Sequence, residues 1–135
     1  MNDEEKKGII DIFSKYAEVK LAYLFGSRAR NENGPMSDYD FAIYLDNRDQ
    51  KNIFNIKARL LDELSRFLKT DKIDLVILDT ADQSELKYDI IKDGQLLFEQ
   101  EPYKVIVEPA ILNEYFDFRE NLIRHGLTKA YDKVS

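Results

Sequence analysis

Cysteine is absent from all 135 residues, which excludes a disulfide framework and any thiolate-ligated zinc or iron–sulfur site. The absence also suits a reducing compartment. Long apolar runs are missing too. Nothing approaches the roughly 18 consecutive apolar residues that a membrane-spanning helix needs. The amino end, Met1-Asn-Asp-Glu-Glu-Lys-Lys7, has no apolar stretch of signal-peptide length behind it. Together these features predict a cytoplasmic protein with no membrane partner. A third absence is a basic stripe. Twenty-six acidic against twenty basic residues leave a formal charge of −6, whereas proteins that track nucleic-acid phosphates cluster Lys and Arg. A long DNA or RNA partner is therefore not expected. A small phosphate ligand remains compatible, because bound divalent metal reverses the sign of a carboxylate cluster locally.

What is present suffices for one domain. With 44% hydrophobic residues, a chain of this length buries roughly two-thirds of the surface that its unfolded form exposes. We expect a single domain over 1–135, with a catalytic core over 1–98 and a C-terminal helical extension over 99–135. There is no internal repeat, no low-complexity tract and no linker before residue 99.

Periodicity divides the chain into alternating elements. Residues 4–17 place Ile9, Ile10, Phe13, Tyr16 and Ala17 at helical spacing behind a capping Asp3. Val19 to Phe25 reads as a buried strand stopped by Gly26, and Tyr39 to Leu45 as a second strand beyond the turn-like Asn31-Glu-Asn-Gly-Pro35. Residues 50–69 form the clearest amphipathic helix, carrying Ile53, Ile56, Leu60, Leu64, Phe67 and Leu68. Ile73 to Leu78 is a third strand, Ser84 to Asp93 a short helix ended by Gly94, and Gln95 to Phe98 an edge strand. A last helix is expected from Pro109 to about Tyr131, with Tyr103 to Val107 either a strand or the start of that helix. This order specifies an α+β (α/β) architecture: a small mixed sheet with helices packed on one face.

The chemistry concentrates in Gly26-Ser27 and, ten residues later, Asp38-Tyr39-Asp40. Strand side chains alternate between faces, so Asp38 and Asp40 project together while Tyr39, Phe41, Ile43 and Leu45 face the helix layer. Like charges so close repel unless a cation lies between them. Paired carboxylates on a strand are a natural site for magnesium, a hard ion that shares its shell with substrate phosphate. A glycine directly after a strand lets backbone approach a ligand. Ser27-Arg-Ala-Arg30 then opens a short helix whose free N–H groups attract phosphate. Ser27 is expected to hold a β- or γ-phosphate, and Arg28 or Arg30 to steady the leaving pyrophosphate. Asp74, opening the third strand, is the best candidate for a third carboxylate and general base in a two-metal site. Asp71 and Asp79 are its rivals, Asp79 lying by parity on the opposite face. The bland reading is a turn glycine, a capping serine and two solvated aspartates. Depletion of Asp from strands weighs against it.

Phe25-Gly-Ser-Arg-Ala-Arg30 followed by Ser37-Asp-Tyr-Asp-Phe41 closely resembles the signature of the DNA polymerase beta-like nucleotidyltransferase superfamily. Within it, the chain resembles the minimal nucleotidyltransferases, the MNT proteins encoded beside HEPN toxins. The likeness runs over nearly the whole chain, including Gly94-Gln-Leu-Leu-Phe98 and the long C-terminal helix. It implies a mixed sheet with Asp-x-Asp on a central strand, two magnesium ions, and ATP as substrate. Gly26 and Ser27 then bind phosphate, Asp38 and Asp40 bind metal, and Asp74 takes the third carboxylate role. Proteins of this kind act as antitoxins and transfer AMP onto a tyrosine of the HEPN ribonuclease toxin. The implied partner is thus a HEPN-type toxin, in a hetero-oligomer or beside a homodimer. A binding-only antitoxin is one rival reading, opposed by the intact carboxylate triad. An aminoglycoside-type enzyme is another, opposed by the lack of a further helical domain.

Two weaker signals remain. Arg119 with His125, the only histidine, loosely imitates the Arg…His pair of HEPN ribonucleases, but that site needs a helical bundle. His125 is expected on a helix surface. The tail residues Ile111, Leu112, Tyr115, Phe116, Phe118, Leu122 and Ile123 occupy more than one apolar stripe. They either cover the domain's own core or form a partner surface, where aromatic residues are enriched.

Overall fold

The computed structural model describes residues 1–32, 34 and 37–126. Nine elements follow one another: α1 (Asp3–Ser14), β1 (Leu21–Phe25), α2 (Gly26–Ala29), β2 (Tyr39–Tyr44), α3 (Gln50–Leu68), β3 (Ile73–Ile77), α4 (Ser84–Asp93), β4 (Gln95–Glu99) and α5 (Tyr103–Arg124). The first helix is capped by Asn2 rather than Asp3. Asn2 sits outside the helix in extended backbone, and its side chain accepts the Glu5 N–H at 2.7 Å, the third-position donor that a cap reaches. Asp3 is already helical.

The four strands stand in the order β3-β2-β1-β4. β1 runs antiparallel to β2 and β4, and β2 runs parallel to β3. Parallel neighbours require a crossover, here supplied by α3. Its apolar positions Ile53, Ile56, Leu60 and Leu64 are all buried. They join Ile9 and Phe13 of α1 over one sheet face, formed by Ala22, Leu24, Tyr39, Phe41, Ile43, Leu75 and Ile77.

The mixed sheet and the α+β class agree with the sequence, but the helices do not keep to one face. On the second face Leu21, Tyr23 and Ala42 pack with Ile90 of α4 and with Val107 and Ile111 of α5. The cause is the composition of β1. Its first four residues are all buried, so apolar side chains leave the strand in both directions and both directions need cover. Polar contacts fasten α5 there. The buried Tyr23 hydroxyl donates to Glu108 at 2.7 Å, and the buried Lys87 ammonium of α4 pairs with Glu114 at 2.8 Å. Tyr103 to Val107 is accordingly helical, because burying Val107 outweighs the strand preference of this β-branched stretch. The helix stops short of the expected Tyr131: it ends at Arg124, where His125 caps it and Gly126 takes a φ of +70°, and residues 127–131 lie outside the described residues.

On α3, Leu60 is fully buried and Phe54 is 70% exposed. Leu60→Ala should cost about 2–5 kcal/mol in urea denaturation. Phe54→Ala should stay within about 0.5 kcal/mol of wild type.

Candidate functional site

The site lies where β1 ends and β2 and β3 begin. In the strand register Phe25 stands opposite Asp40, and Asp40 stands opposite Asp74. Register partners share a face, so both carboxylates leave the second face of the sheet. This is the end that α4 and α5 leave open: Asp38 and Asp74 are exposed and Asp40 is half-buried. Asp38 lies just before β2, two residues ahead of Asp40, and its charge acts on the Asp40 carboxyl. Tyr39 and Phe41 alternate into the α1/α3 core, as expected.

The electrostatics agree with this geometry. Burial pushes the Asp40 carboxyl above the ordinary aspartate value, and the Asp74 and Asp38 charges push it further. Like charges gathered at one place are relieved by a cation among them. Hard carboxylate oxygens on one open face fit a divalent ion such as magnesium. Among the described residues no three acidic or histidine side chains stand close enough together to hold an ion.

Gly26 has a φ of +75°, in the left-handed region that suits glycine. A Cβ at this position would also overlap the Asp40 carboxylate oxygen Oδ2. The glycine is thus required twice, by the turn and by the carboxylate beside it. Ser27 follows at the start of α2, its carbonyl accepting the Glu32 N–H at 2.9 Å. Gln95 of β4, unremarked in the sequence, braces the turn by donating its side-chain amide to the Ala29 carbonyl at 2.9 Å. Nothing local to Gln95 signals that contact, since 66 residues separate the partners.

The two arginines go to different places. Arg28 donates to the Ser37 carbonyl at 2.8 Å and lies 3.7 Å over the Tyr39 ring. Arg30 pairs with Glu32 at 3.0 Å, both side chains well exposed. Of the rivals to Asp74, Asp71 lies before β3. Asp79 is buried beyond its far end, accepting the Leu45 and Asn47 N–H groups at 2.8 and 3.0 Å. Its oxygens act as a backbone cap. A cavity of about 570 Å3 opens at that same far end, lined by Tyr44, Asp79, Lys87, Ile111 and Glu114; the carboxylate row is not part of it. His125 caps the exposed end of α5, its Nδ1 donating to the Asn121 carbonyl at 3.0 Å.

The model of the family described as Polymerase beta, Nucleotidyltransferase matches residues 7–103. No curated protein matches the chain in sequence. Among solved structures, a toxin–antitoxin complex with AMP-PNP aligns with a TM-score of 0.74 at 21% identity, over 96% of this chain and 97% of its own. A tri-AMPylated Shewanella oneidensis HEPN toxin in complex with an MNT antitoxin aligns at 0.70 and 20% identity, over 99% and 98% of the two chains. A MntA–HepT toxin–antitoxin structure aligns at 0.69 and 20%, over 98% of each. At these identities the likeness establishes a shared fold.

Because the Asp40 pKa is raised on folding, its charge lowers stability at neutral pH, and that penalty fades as the native carboxyl takes up its proton. In chelator-treated protein Asp40→Asn should therefore melt above wild type at pH 7. The gap should close as pH falls below the ordinary aspartate value. Melting curves across that range, followed by circular dichroism, check both signs.

Proposed function

The chain belongs to the polymerase beta nucleotidyltransferase family, and from that premise we propose that it transfers AMP from ATP to a hydroxyl acceptor, a tyrosine of a HEPN-type toxin that it thereby neutralises. The observation that carries this reading is the register of Asp40 with Asp74, beside Gly26 and two residues after Asp38. Asp38 and Asp40 hold magnesium, and Asp74 completes a site for two ions. When bound, magnesium neutralises the triphosphate and makes the α-phosphorus a better electrophile. The Gly26 backbone and the Ser27 N–H and hydroxyl cradle the β- and γ-phosphates.

The acceptor oxygen forms its bond to the α-phosphorus as the bond from that phosphorus to the bridging oxygen of pyrophosphate breaks. Asp74 takes the acceptor's proton. A free phenol has a pKa near 10, so removing that proton needs the base. Arg30, whose Glu32 pairing is solvent-exposed and exchangeable, turns to the departing pyrophosphate. No helix among the described residues is long and apolar enough to cross a membrane.

Residues 1–98 carry the chemistry, and the helical extension from residue 99 onward meets the partner. On α5 only Val107 and Ile111 are fully committed to the core, while Phe116, Phe118 and Ile123 are exposed. The resemblance to toxin–antitoxin complexes supports a protein acceptor over a small molecule.

Incubation with α-labelled ATP, magnesium and a HEPN-type partner should move label onto the partner and release pyrophosphate. Asp38→Asn and Asp40→Asn should each reduce this to background with the fold intact by circular dichroism. Near-normal labelling by either variant would sink the reading, and partner binding without label would favour the binding-only antitoxin.

Replacing Phe118 by alanine should cut labelling through lost partner affinity, on the order of 2 kcal/mol or more for a true anchor, with melt and ATP affinity unchanged. Tyr115→Ala differs, because that ring is half-buried and stacked 4.0 Å from Tyr88. It should lower the melting temperature instead.

A further inference from the structure

Arg28 is half-buried, and its contacts point away from the open carboxylate face. Its Nη2 donates to the Ser37 carbonyl at 2.8 Å, and its guanidinium carbon lies 3.7 Å from the centre of the Tyr39 ring. That ring belongs to the core beneath α1 and α3, on the sheet face opposite Asp40. The Tyr39 hydroxyl in turn donates to Glu5 of α1 at 2.7 Å. Arg28 Nε is buried without a hydrogen-bond partner among the described residues. The hydrogen bond to Ser37 and the stack on Tyr39 hold the guanidinium on this side.

The two residues that Arg28 grips are the immediate neighbours of Asp38. Asp38 needs such support. It lies before β2, and the first backbone bond of that strand to its parallel neighbour's side is Tyr39 N–H to the Lys72 carbonyl at 2.9 Å. Upstream, Ser37 is tied by contacts within its own turn, donating its N–H to the Gly34 carbonyl at 3.2 Å and accepting the Gly34 N–H on its hydroxyl at 3.0 Å. Arg28 links that turn to the rigid end of β1. The Asp38 charge also acts against that of Asp40, so an unfastened backbone would let it swing outward.

We propose that Arg28 is a positioning residue: it clamps Ser37 and Tyr39 so that the Asp38 carboxylate is presented beside Asp40 for divalent metal, and it is not a phosphate ligand. This deepens the nucleotidyltransferase reading and rests on it. Groups that orient a metal ligand, when removed, typically weaken metal binding by roughly 10- to 100-fold, and the effect appears without nucleotide. A phosphate ligand, when removed, affects nucleotide alone.

Binding of Mn2+ alone to the full chain, followed by electron paramagnetic resonance, separates the two. Arg28→Met should weaken Mn2+ binding in that range and lower kcat, while KM for ATP at saturating metal holds. Arg28→Lys keeps a donor for Ser37 but loses the planar stack, so it should fall between. It carries the comparison if Arg28→Met melts too early to measure. Arg30→Met should raise KM for ATP and leave Mn2+ binding intact. Unchanged Mn2+ affinity in both Arg28 variants, with a raised KM for ATP, would overturn the clamp and make Arg28 a phosphate ligand. A lowered melting temperature with unchanged Mn2+ affinity of the folded protein would overturn it as a merely structural contact. Wild-type protein that bound no Mn2+ would overturn the carboxylate reading itself and the clamp with it, a result distinct from the other two.

Discussion

Everything at the site depends on how β2 pairs with β3. Because the two strands run parallel with Asp40 opposite Asp74, two carboxylates from distant parts of the chain emerge side by side on one face. A slip of one residue would send Asp74 to the other side of the sheet. The register is held by the opposite face, where Phe41 and Ile43 of β2 and Leu75 and Ile77 of β3 are buried beneath α3. The apolar core on one side thus sets the spacing of the charges on the other.

That spacing is costly without a cation, and the neighbourhood is built around the cost. Asp40 is the crowded member, half-buried between Asp74 and the Gly26 turn, which has room for it only because the glycine lacks a Cβ. The two ends of the β3 region show how position divides the work between like residues. Asp74, at the open end, is exposed. Asp79, past the other end, is buried and spends both oxygens on the backbone N–H groups of Leu45 and Asn47. The overall charge of −6 gives no attraction for long phosphate polymers.

The helix α5 serves two surfaces at once. Its first half seals the second sheet face through Val107 and Ile111, fastened by Glu108 and Glu114. Its later turns carry Phe116, Phe118 and Ile123 into solvent. The aromatic residues that share no single stripe in the sequence are therefore split. Tyr115 leans on Tyr88 of α4, whereas Phe116 meets their edges and stays half outside.

Local order was legible in the residues themselves. Alternation along Tyr39–Tyr44 puts Asp40 on one face and Phe41 on the other, and the helical spacing of Ile53, Ile56, Leu60 and Leu64 marks the buried side of α3, because both periods are properties of a few consecutive residues. Parity does not separate Asp74 from Asp79, because Asp79 lies in the turn beyond β3 and lines the cavity beside Tyr44, Lys87 and Ile111. Other features had to wait for the tertiary structure. The unbroken apolar run of β1 was compatible with cover on either face or on both, and only the packing of α4 and α5 decides for both. Asn2 and Asp3 are equally good caps by type, and only the backbone at each says which lies outside the helix. Arg28 and Arg30 stand two residues apart in one short helix and look interchangeable. The nine-residue reach to Ser37 and the ring of Tyr39 holds one of them, while the other stays in solvent. Such contacts join parts of the chain that no local period relates, and they exist only once the sheet has closed.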